Sequence, residues 1–319
     1  MAKIGVLYGM ENTFPPALVD RINNKRVPDV VAEHLRIGGV KIAEPSGYRV
    51  IIDRISQDVE FYRAFLKNAI LTGTTVINNP FWWSADDKFF NYALARKVGV
   101  AVPNTVVLPH KLHPPGTTTQ SMRNLTFPLN WDEVFQYIGF PAFLKPFSGG
   151  GWKNVYKVHS PQEFFEAYDQ TGTICMTLQT GVEFEEYFRC YVIGQQHVRV
   201  MKYDPKQPHH LRYVKDGQAS SQELYDRVVR DALTLCRALG YDFNTVEFAV
   251  QGGVPYAIDF LNPAPDADVH SVGEANFDWV VEHVAELAIE KALAPEARAE
   301  YRWQYFLNGE PARTTAASG

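Results

Sequence analysis

Short apolar runs alternate with amphipathic segments at the start of the chain. Ile4–Tyr8, Arg49–Ile52 and Thr75–Ile77 have the continuous apolar character of buried parallel strands, and Val59–Leu71 carries an apolar stripe at helical spacing. Alternation of strands and helices is typical of a doubly wound α/β unit. The pattern therefore predicts a small α/β domain over residues 1–80.

The pattern changes after this unit. Asp86–Val98 has helical spacing, and Gly99–Val107 returns to β character. Residues 108–130 are rich in Pro, Thr, Asn and His, which predicts a long surface loop. From Pro141 onward, the sequence predicts a strand, a glycine loop, a second strand and a helix at Pro161–Tyr168.

The last part of the chain contains the clearest helix. In Ser221–Leu239 the apolar residues recur at helical spacing, and Gly240 supplies a stop signal at the C-terminal end. A β-hairpin over 245–261 and a helix from Phe277 to about Leu293 follow. The final residues, RTTAASG, predict a disordered tail.

Composition limits the classes of function. The chain has 319 residues, of which 46% are hydrophobic and 21% charged, as is typical of a soluble globular protein. A net charge of -5 without a dense Lys/Arg block argues against a nucleic-acid partner, and no apolar run approaches the length of a membrane span. MAKIGVLYGM does not resemble a secretory signal, and Cys175, Cys190 and Cys236 are interpreted as reduced core thiols. We therefore expect a cytoplasmic protein that binds neither nucleic acid nor membrane.

Three consecutive glycines separate two β-like runs in FLKPFSGGGWKNVYKV, residues 143–158. Gly149–Gly151 are flanked by Lys145 and Lys153. Glycines in such a loop indicate either a turn with positive φ or the close approach of a ligand such as a phosphate chain. From these residues alone, a hairpin turn and a phosphate-binding loop remain equally open.

The hairpin TVEFAVQGGVPYAIDFLNP, residues 245–263, contains two carboxylates. If 251–253 form a three-residue loop, Phe248 faces Tyr256, and Glu247 and Asp259 become diagonal neighbours on one face, about 7–8 Å apart. Two carboxylates at this separation suit Mg²⁺. The alternative is a solvated polar face on an edge hairpin.

Together these elements resemble the ATP-grasp superfamily, in particular its glutathione synthetase and ribosomal-protein glutamate ligase branch. The resemblance covers roughly residues 80–290 and lies in the order of five elements, whereas a Walker A loop is absent. It implies an α/β (α+β) fold in which two subdomains hold ATP between them. The implied domains are a pre-ATP-grasp domain at 1–80, a subdomain with the glycine loop at 81–180, a subdomain with the metal hairpin at 181–295, and a tail at 296–319.

The resemblance implies which residues contact the phosphates of ATP. Lys88, in DDKFFNYALARKVGVAVPNT, matches the first ATP-contacting lysine of the family, and Lys145 matches the lysine that reaches the α-phosphate. The loop that closes over the β- and γ-phosphates is matched by Ser148, Gly149, Gly150 and Gly151. The resemblance thus favours a phosphate-binding role for the glycine loop.

The segment MTLQTGVEFEEYFRCYVIG matches the hinge that binds adenine and ribose in the family. Gln179 is expected to face the adenine amine, with Thr180 and Val182 beside it. Tyr187 stands where the family has an acidic ribose contact, so Glu183 or Glu186 is the candidate substitute.

Three cations are implied for the reacting groups. Arg189 lies where relatives carry an arginine, and Lys202 in HVRVMKYDP matches a cation that faces the phosphates or an acyl phosphate, although an exposed strand lysine is an equal alternative. Arg212, beside His209 and His210 in QPHHLRY, is a candidate for orienting a carboxylate. An ordinary polar loop is the alternative for this last group.

The family's metal ligands are matched at the hairpin. Glu247 and Asp259 correspond to its two acids, whereas Asn262 is one residue further along than the family pattern requires. A bulge near residues 260–261 would return Asn262 to the same face.

The resemblance implies a reaction and its partners. We expect an enzyme, an ATP-dependent carboxylate–amine ligase that proceeds through an acyl phosphate to an amide, ADP and phosphate. The implied cofactors are ATP and Mg²⁺, with Mn²⁺ as an alternative. The implied partners are a small-molecule carboxylate and an amine, one of them an amino acid or small peptide, and a homodimer is left open. The alternatives are an ATP-grasp kinase or phosphotransferase and a non-catalytic ATP-binding regulatory module.

Overall fold

The computed structural model describes most of the chain, namely residues 1–149, 153–208, 211–214, 220–295 and 301. Some predicted features lie outside the described residues: Gly150, Gly151, His209, His210 and, apart from Tyr301, the predicted tail 296–319.

Three four-stranded sheets form the described structure, here called the first, second and third sheets. The first sheet contains β1 (Ala2–Leu7), β2 (Val30–His34), β3 (Val50–Asp53) and β4 (Thr75–Ile77). The second contains β5 (Thr105–Leu108), β6 (Ala142–Pro146), β7 (Tyr156–Val158) and β8 (Met176–Thr180). The third contains β9 (Glu186–Ile193), β10 (His197–Lys202), β11 (Phe243–Gln251) and β12 (Val254–Asp259).

Nine α-helices accompany these sheets within the described residues. They are α1 (Phe14–Asn24), α2 (Glu60–Leu71), α3 (Pro80–Trp83), α4 (Lys88–Lys97), α5 (Trp131–Ile138), α6 (Pro161–Asp169), α7 (Gln222–Leu239), α8 (Val269–Val272) and α9 (Glu274–Leu293).

The first sheet is parallel, with strand order β2-β1-β3-β4. This order confirms the doubly wound α/β prediction for the start of the chain. The sequence pattern had not indicated β2 or α1. In β2, the strand VVAEH, only Ala32 is buried, so the strand lacks the continuous apolar run of its neighbours.

The second sheet is antiparallel, with order β5-β8-β6-β7. Its core lies on the face covered by α5 and α6, where Leu144, Phe164 and Leu178 are fully buried. The predicted surface loop at 108–130 contains a short 3-10 helix, Thr119–Met122. Because β6 alternates, Leu144 points into this core and Lys145 points to the other face.

The third sheet is antiparallel, with order β10-β9-β11-β12, and α7 packs on one of its faces. The Ser221 hydroxyl accepts a hydrogen bond from the Leu224 N–H, and Gly240 ends the helix at a φ of 77°. These two caps confirm the predicted helix. Tyr92 and Ala95 of α4 also pack in this core, so α4 lies against the third sheet.

The metal hairpin differs from its predicted register. Gln251 pairs with Val254, so the loop has two residues and not three, and Phe248 faces Ala257 rather than Tyr256. A bulge at Ile258 then returns Glu247 to a position directly opposite Asp259. The prediction of a diagonal pair was therefore wrong, while the two carboxylates do share a face because the bulge compensates for the shorter loop.

The first and third sheets share one hydrophobic core. Ile4 and Ile52 of the first sheet, Tyr191 and Phe243 of the third, and the buried face of α9 belong to the same cluster. Asn78, which follows β4, makes four hydrogen bonds to the third sheet and its following loop, as its amide donates to Phe243 O and Pro263 O and accepts from the N–H groups of Asp242 and Phe243. The second sheet has a separate core.

Among the helices of the described residues, none combines the length and apolar character required to cross a membrane.

Candidate active site

A cavity of about 420 Å³ is lined by residues of both the second and the third sheet. Its polar and charged lining consists of Lys88, Lys145, Ser148, Lys153, Asn154, Gln179, Thr180, Tyr187, Glu247 and Asp259. Its apolar lining includes Phe143, Val155, Ile174, Val182, Phe184 and Ile258. An apolar cavity with a few convergent polar groups is the usual form of a small-molecule site.

Lys145, on β6 of the second sheet, is one of the cations that line the cavity. Its Nζ donates to Gln179 Oε1 at 2.8 Å and to Tyr92 Oη at 2.7 Å. Burial lowers the pKa of Lys145 to about 8, while the carboxylates Asp259 and Glu247 act in the opposite direction. The lysine is therefore held in place by two neutral acceptors and faces two anions across the cavity.

Gln179 has a role that the sequence did not indicate. Besides accepting from Lys145, its amide donates from Nε2 to Thr105 Oγ1 at 2.8 Å. Both ends of the side chain are thus engaged, and Gln179 positions the lysine. The predicted contact with the adenine amine stays a prediction, for which Thr180 and Val182, which follow along the cavity wall, are available.

Glu247 and Asp259 meet on the third sheet's side of the cavity. Tyr187 Oη donates to Glu247 Oε2 at 2.6 Å, and Lys88 Nζ lies 3.5 Å from Asp259 Oδ1. Burial raises the pKa of Glu247; Arg189 lowers it and Asp259 raises it further. From the sequence, Tyr187 only replaces the acidic ribose contact of the family, and its hydrogen bond to Glu247 was not predicted.

The acid pair can hold a divalent cation. Two carboxylates facing each other from adjacent strands supply the oxygen ligands that Mg²⁺ takes in proteins, with water and phosphate completing the shell. Asn262 Nδ2 donates to Thr245 O at 2.9 Å, which leaves its Oδ1 as the atom able to ligate. Within the described residues, no group of three or more His, Cys, Asp or Glu side chains forms a metal cluster, so the fit rests on this pair.

The glycine loop borders the cavity. Ser148 and Gly149 line it before the loop leaves the described residues, and Lys153 and Asn154 line it on return. Gly149 has a φ of 87°, a conformation that favours glycine. The described residues on both sides of the loop thus line the same cavity as Lys145.

Several solved structures share this fold. The chain aligns over 92% of its length with a D-alanine–D-alanine ligase from Bacillus anthracis complexed with ATP, at 18% identity, 97% coverage of that chain and a TM-score of 0.63. It also aligns with the ATP-grasp ligase PsnB complexed with minimal precursor, Mg and ADP, at 14% identity, 91% and 97% coverage and a TM-score of 0.60. A RimK domain ATP-grasp protein from Sphaerobacter thermophilus aligns at 14% identity, 90% and 100% coverage and a TM-score of 0.63. The chain has the ATP-grasp fold.

Sequence comparison adds little to this assignment. An acetyl-CoA carboxylase from Dictyostelium discoideum is 24% identical over 143 residues, which is 41% of this chain, and the match spans 6% of the length of that protein. Comparison with models of protein families finds no match.

Two of the predicted site residues, Lys202 and Glu186, are not among the residues that line the cavity. Lys202 pairs in register with Phe188, which is buried in the core beneath α7, and Lys202 Nζ lies 3.4 Å from Glu186 Oε2. Strand alternation therefore places Lys202 and Glu186 on the sheet face opposite Glu247, away from the cavity. The predicted phosphate contact of Lys202 and the predicted ribose contact of Glu186 stay predictions, and Glu183, which is exposed between two lining residues, is the other candidate acid.

Arg189 and Arg212 lie outside the lining of the cavity in this ATP-grasp fold. Arg189 pairs in register with Glu247, and its Nη1 lies 3.7 Å from Glu247 Oε1. Arg212 Nε donates to Gln207 O at 3.0 Å within its own loop. The structure thus brings Arg189 to the acid pair, whereas the Arg212 guanidinium bonds to the carbonyl oxygen of Gln207.

Proposed function

We propose that the chain is an ATP-dependent ligase that joins a carboxylate to an amine and releases ADP and phosphate. The observation that carries this proposal is the cavity in which Lys88 and Lys145 face the opposed carboxylates Glu247 and Asp259. Ammonium groups suit phosphate oxygens, and opposed carboxylates suit Mg²⁺. Structural neighbours that are named as ligases, one with ATP and one with Mg and ADP, support the same conclusion.

The proposed reaction has two steps. A substrate carboxylate oxygen attacks the γ-phosphorus of ATP, and the bond to the β–γ bridging oxygen breaks, which gives an acyl phosphate and ADP. An amine then attacks the acyl carbon, loses a proton, and expels phosphate as the amide forms. Lys88 and Lys145 stabilise the negative charge that spreads over the phosphate oxygens during the first step.

The acid hairpin has a holding role in this proposal. Glu247, Asp259 and the Oδ1 atom of Asn262 would hold Mg²⁺ or Mn²⁺, which would supply positive charge for the phosphates. Tyr187 orients Glu247 through its hydrogen bond. Ser148 and Gly149, at the start of the glycine loop, lie beside the cavity in which the phosphates are proposed to bind.

An amino acid or small peptide is the proposed substrate class. The structural neighbours include a D-alanine–D-alanine ligase and a ligase complexed with a minimal precursor. We retain 1–80, 81–180 and 181–295 as the proposed domains, with the qualification that α4 packs on the third sheet.

Hydroxylamine trapping tests the proposal. The purified protein, ATP and Mg²⁺ are incubated with each of the 20 standard amino acids and D-alanine, and hydroxamate and nucleotide products are measured. A ligase yields ADP and a hydroxamate from the correct acid, and it releases phosphate without hydroxylamine only when an amine is also supplied. A stable phosphorylated product would identify a kinase, nucleotide binding without turnover would identify a regulatory module, and AMP with pyrophosphate would exclude the acyl-phosphate route.

A further inference from the structure

Two histidines face each other outside the cavity. His197 is the first residue of β10, and His283 lies on α9. Their ring centroids are 4.9 Å apart, with an angle of 66° between the ring planes. Neither residue lines the cavity. The reaction proposed for the cavity therefore leaves this histidine pair without a role.

One ring nitrogen of His283 is already bound within the protein. His283 Nδ1 lies 2.8 Å from Trp279 O, one turn earlier on α9. A carbonyl oxygen only accepts hydrogen bonds, so Nδ1 carries the proton, and Nε2 of the neutral ring keeps its lone pair. Histidines that bind metal ions usually donate their other ring N–H to a carbonyl or a carboxylate, which fixes the tautomer in the same way.

Packing also fixes the orientation of the His283 ring. Trp279 stacks on this ring, with centroids 4.1 Å apart and an angle of 26° between the planes. The buried Tyr191 ring stacks in turn on Trp279, with centroids 6.4 Å apart. His197 is exposed, so its ring is open to solvent. The pair thus combines one preorganised imidazole with one accessible imidazole.

The separation of the two rings fits a shared metal ion. Imidazole nitrogen binds Zn²⁺ at about 2.0–2.1 Å, so the ring centroid lies about 3 Å from the ion. Two such rings at a tetrahedral angle have centroids about 5 Å apart, close to the observed 4.9 Å. Imidazole suits Zn²⁺ and Cu²⁺, whereas Mg²⁺ and Ca²⁺ take oxygen ligands.

We infer that His197 and His283 together bind Zn²⁺ or Cu²⁺ through one nitrogen of each ring. In the part of the chain that the structure describes, no group of three or more His, Cys, Asp or Glu side chains could hold a metal, so water completes the coordination of this ion. β10 is an edge strand of the third sheet, and α9 packs in the core that the first and third sheets share. The bound ion ties this edge strand to α9 and stabilises the folded chain.

Calorimetry tests the histidine site. The full-length protein is treated with EDTA, dialysed, and titrated with ZnCl₂ or CuCl₂ in excess Mg²⁺, which occupies the acid pair of the cavity. His197→Ala and His283→Phe should each lower the affinity for the added ion at least about tenfold, since loss of even a supporting residue of a metal site costs that much. Phenylalanine keeps a ring against Trp279 but has no nitrogen. His159→Ala is the matched control, because it removes an exposed histidine that bonds to Glu163. No binding in wild type, or unchanged binding in either variant, would overturn the inference.

Two further measurements identify the ligands and the link. Electron paramagnetic resonance of bound Cu²⁺ should show coupling to two imidazole nitrogens in wild type and to fewer in each variant. ZnCl₂ should raise the melting temperature of wild type, because the ion binds the folded state. His197→Ala should lose most of this increment, while its melting temperature without metal stays within about 2 °C of wild type. An equal increment in His197→Ala, or an equal increment with MgCl₂ in place of ZnCl₂, would overturn the inference. Neither measurement needs ATP or a substrate, so both are independent of the proposed reaction.

Discussion

A buried ammonium group needs acceptors, and Lys145 has two of them in neutral side chains. Gln179 and Tyr92 accept its hydrogen bonds, and burial holds its pKa at about 8. An anionic ligand favours the charged form of such a lysine. Binding of ATP should therefore be linked to protonation of Lys145.

The sign of this pH dependence follows from the lowered pKa. Below about pH 8 the lysine is charged in the unliganded protein, and ATP meets an ammonium group. Above that pH the ammonium is lost, so ATP affinity should fall by up to tenfold per pH unit while binding takes up a proton. Calorimetry between pH 7 and 9.5, in buffers of different ionisation enthalpy, measures both effects. Lys145→Arg should flatten the profile, and an unchanged profile in that variant would assign the titration to another group.

Removal of the same charge should weaken nucleotide binding. We expect Lys145→Ala to lower ATP affinity by roughly tenfold or more, since a hydrogen bond to a charged phosphate contributes roughly 1.5–3 kcal/mol. Lys157→Ala is the matched control, because Lys157 is exposed on β7 and does not line the cavity. Unchanged affinity in a folded Lys145→Ala protein, measured by calorimetry, would contradict the assignment.

Strand alternation explains which single residues could be predicted. It places Lys145 and Glu247 opposite their apolar neighbours, so the sequence alone indicates the correct faces. The roles of Tyr92 and Tyr187 depend on hydroxyl contacts between elements that are distant in sequence, which no local pattern encodes. Lys202 pairs in register with the buried Phe188, a cross-strand pairing that the sequence alone did not indicate.

At the scale of elements, the metal hairpin combines a tight turn with a bulge. The two-residue turn alone would put Asp259 on the wrong face, and the extra residue Ile258 restores it opposite Glu247. The sequence pattern correctly predicted that Glu247 and Asp259 share a face, but it did so with a three-residue loop and no bulge. A bulge could not be recognised from the alternation of apolar and polar residues. Because of the bulge, Glu247 and Asp259 are directly opposed across the two strands, and directly opposed residues lie closer together than diagonal cross-strand neighbours.

Opposed carboxylates at this bulge should make the site dependent on a metal. We expect Mg²⁺ to raise the melting temperature of the wild type in the presence of ADP relative to ADP with EDTA, because a bound cation relieves the repulsion of the pair. Asp259→Asn should lose most of this increment. Asp20→Asn, an exposed position on α1, should keep it. A full increment in Asp259→Asn would show that the metal is held elsewhere.

At the scale of the whole molecule, the first and third sheets behave as one packing unit. They share a core, and Asn78 bonds to four backbone groups of the third sheet and its following loop. The second sheet, which supplies Lys145 and the glycine loop, keeps its own core. The sequence indicated the separate strand groups, but the shared core depends on contacts of α9 with both sheets and could not be derived from local patterns.

Loss of the Asn78 side chain should weaken this unit. Asn78→Ala leaves four backbone groups without their partner, two of them buried and two part-buried, so the free energy of unfolding should fall by about 3 kcal/mol. Urea denaturation monitored by circular dichroism measures the change. The control Asn24→Ala, at an exposed position at the end of α1, should differ from wild type by less than about 1 kcal/mol. A similarly small effect of Asn78→Ala would show that the shared hydrophobic core holds the first and third sheets together without the Asn78 hydrogen bonds.

The hydrogen bonds of Lys145 reach from the second sheet to the third. Lys145 donates to Tyr92, and Tyr92 in turn donates to Ile258 O at the bulge, at 2.5 Å. In the proposed reaction, an arriving phosphate must draw the ammonium away from Gln179 and Tyr92, and a departing one returns it to them. The Lys145 ammonium group thus exchanges protein acceptors for phosphate acceptors. A buried ammonium group without any acceptor would be far more costly. This exchange costs part of the free energy of nucleotide binding, so we expect the ADP product to dissociate faster than from a site without competing acceptors.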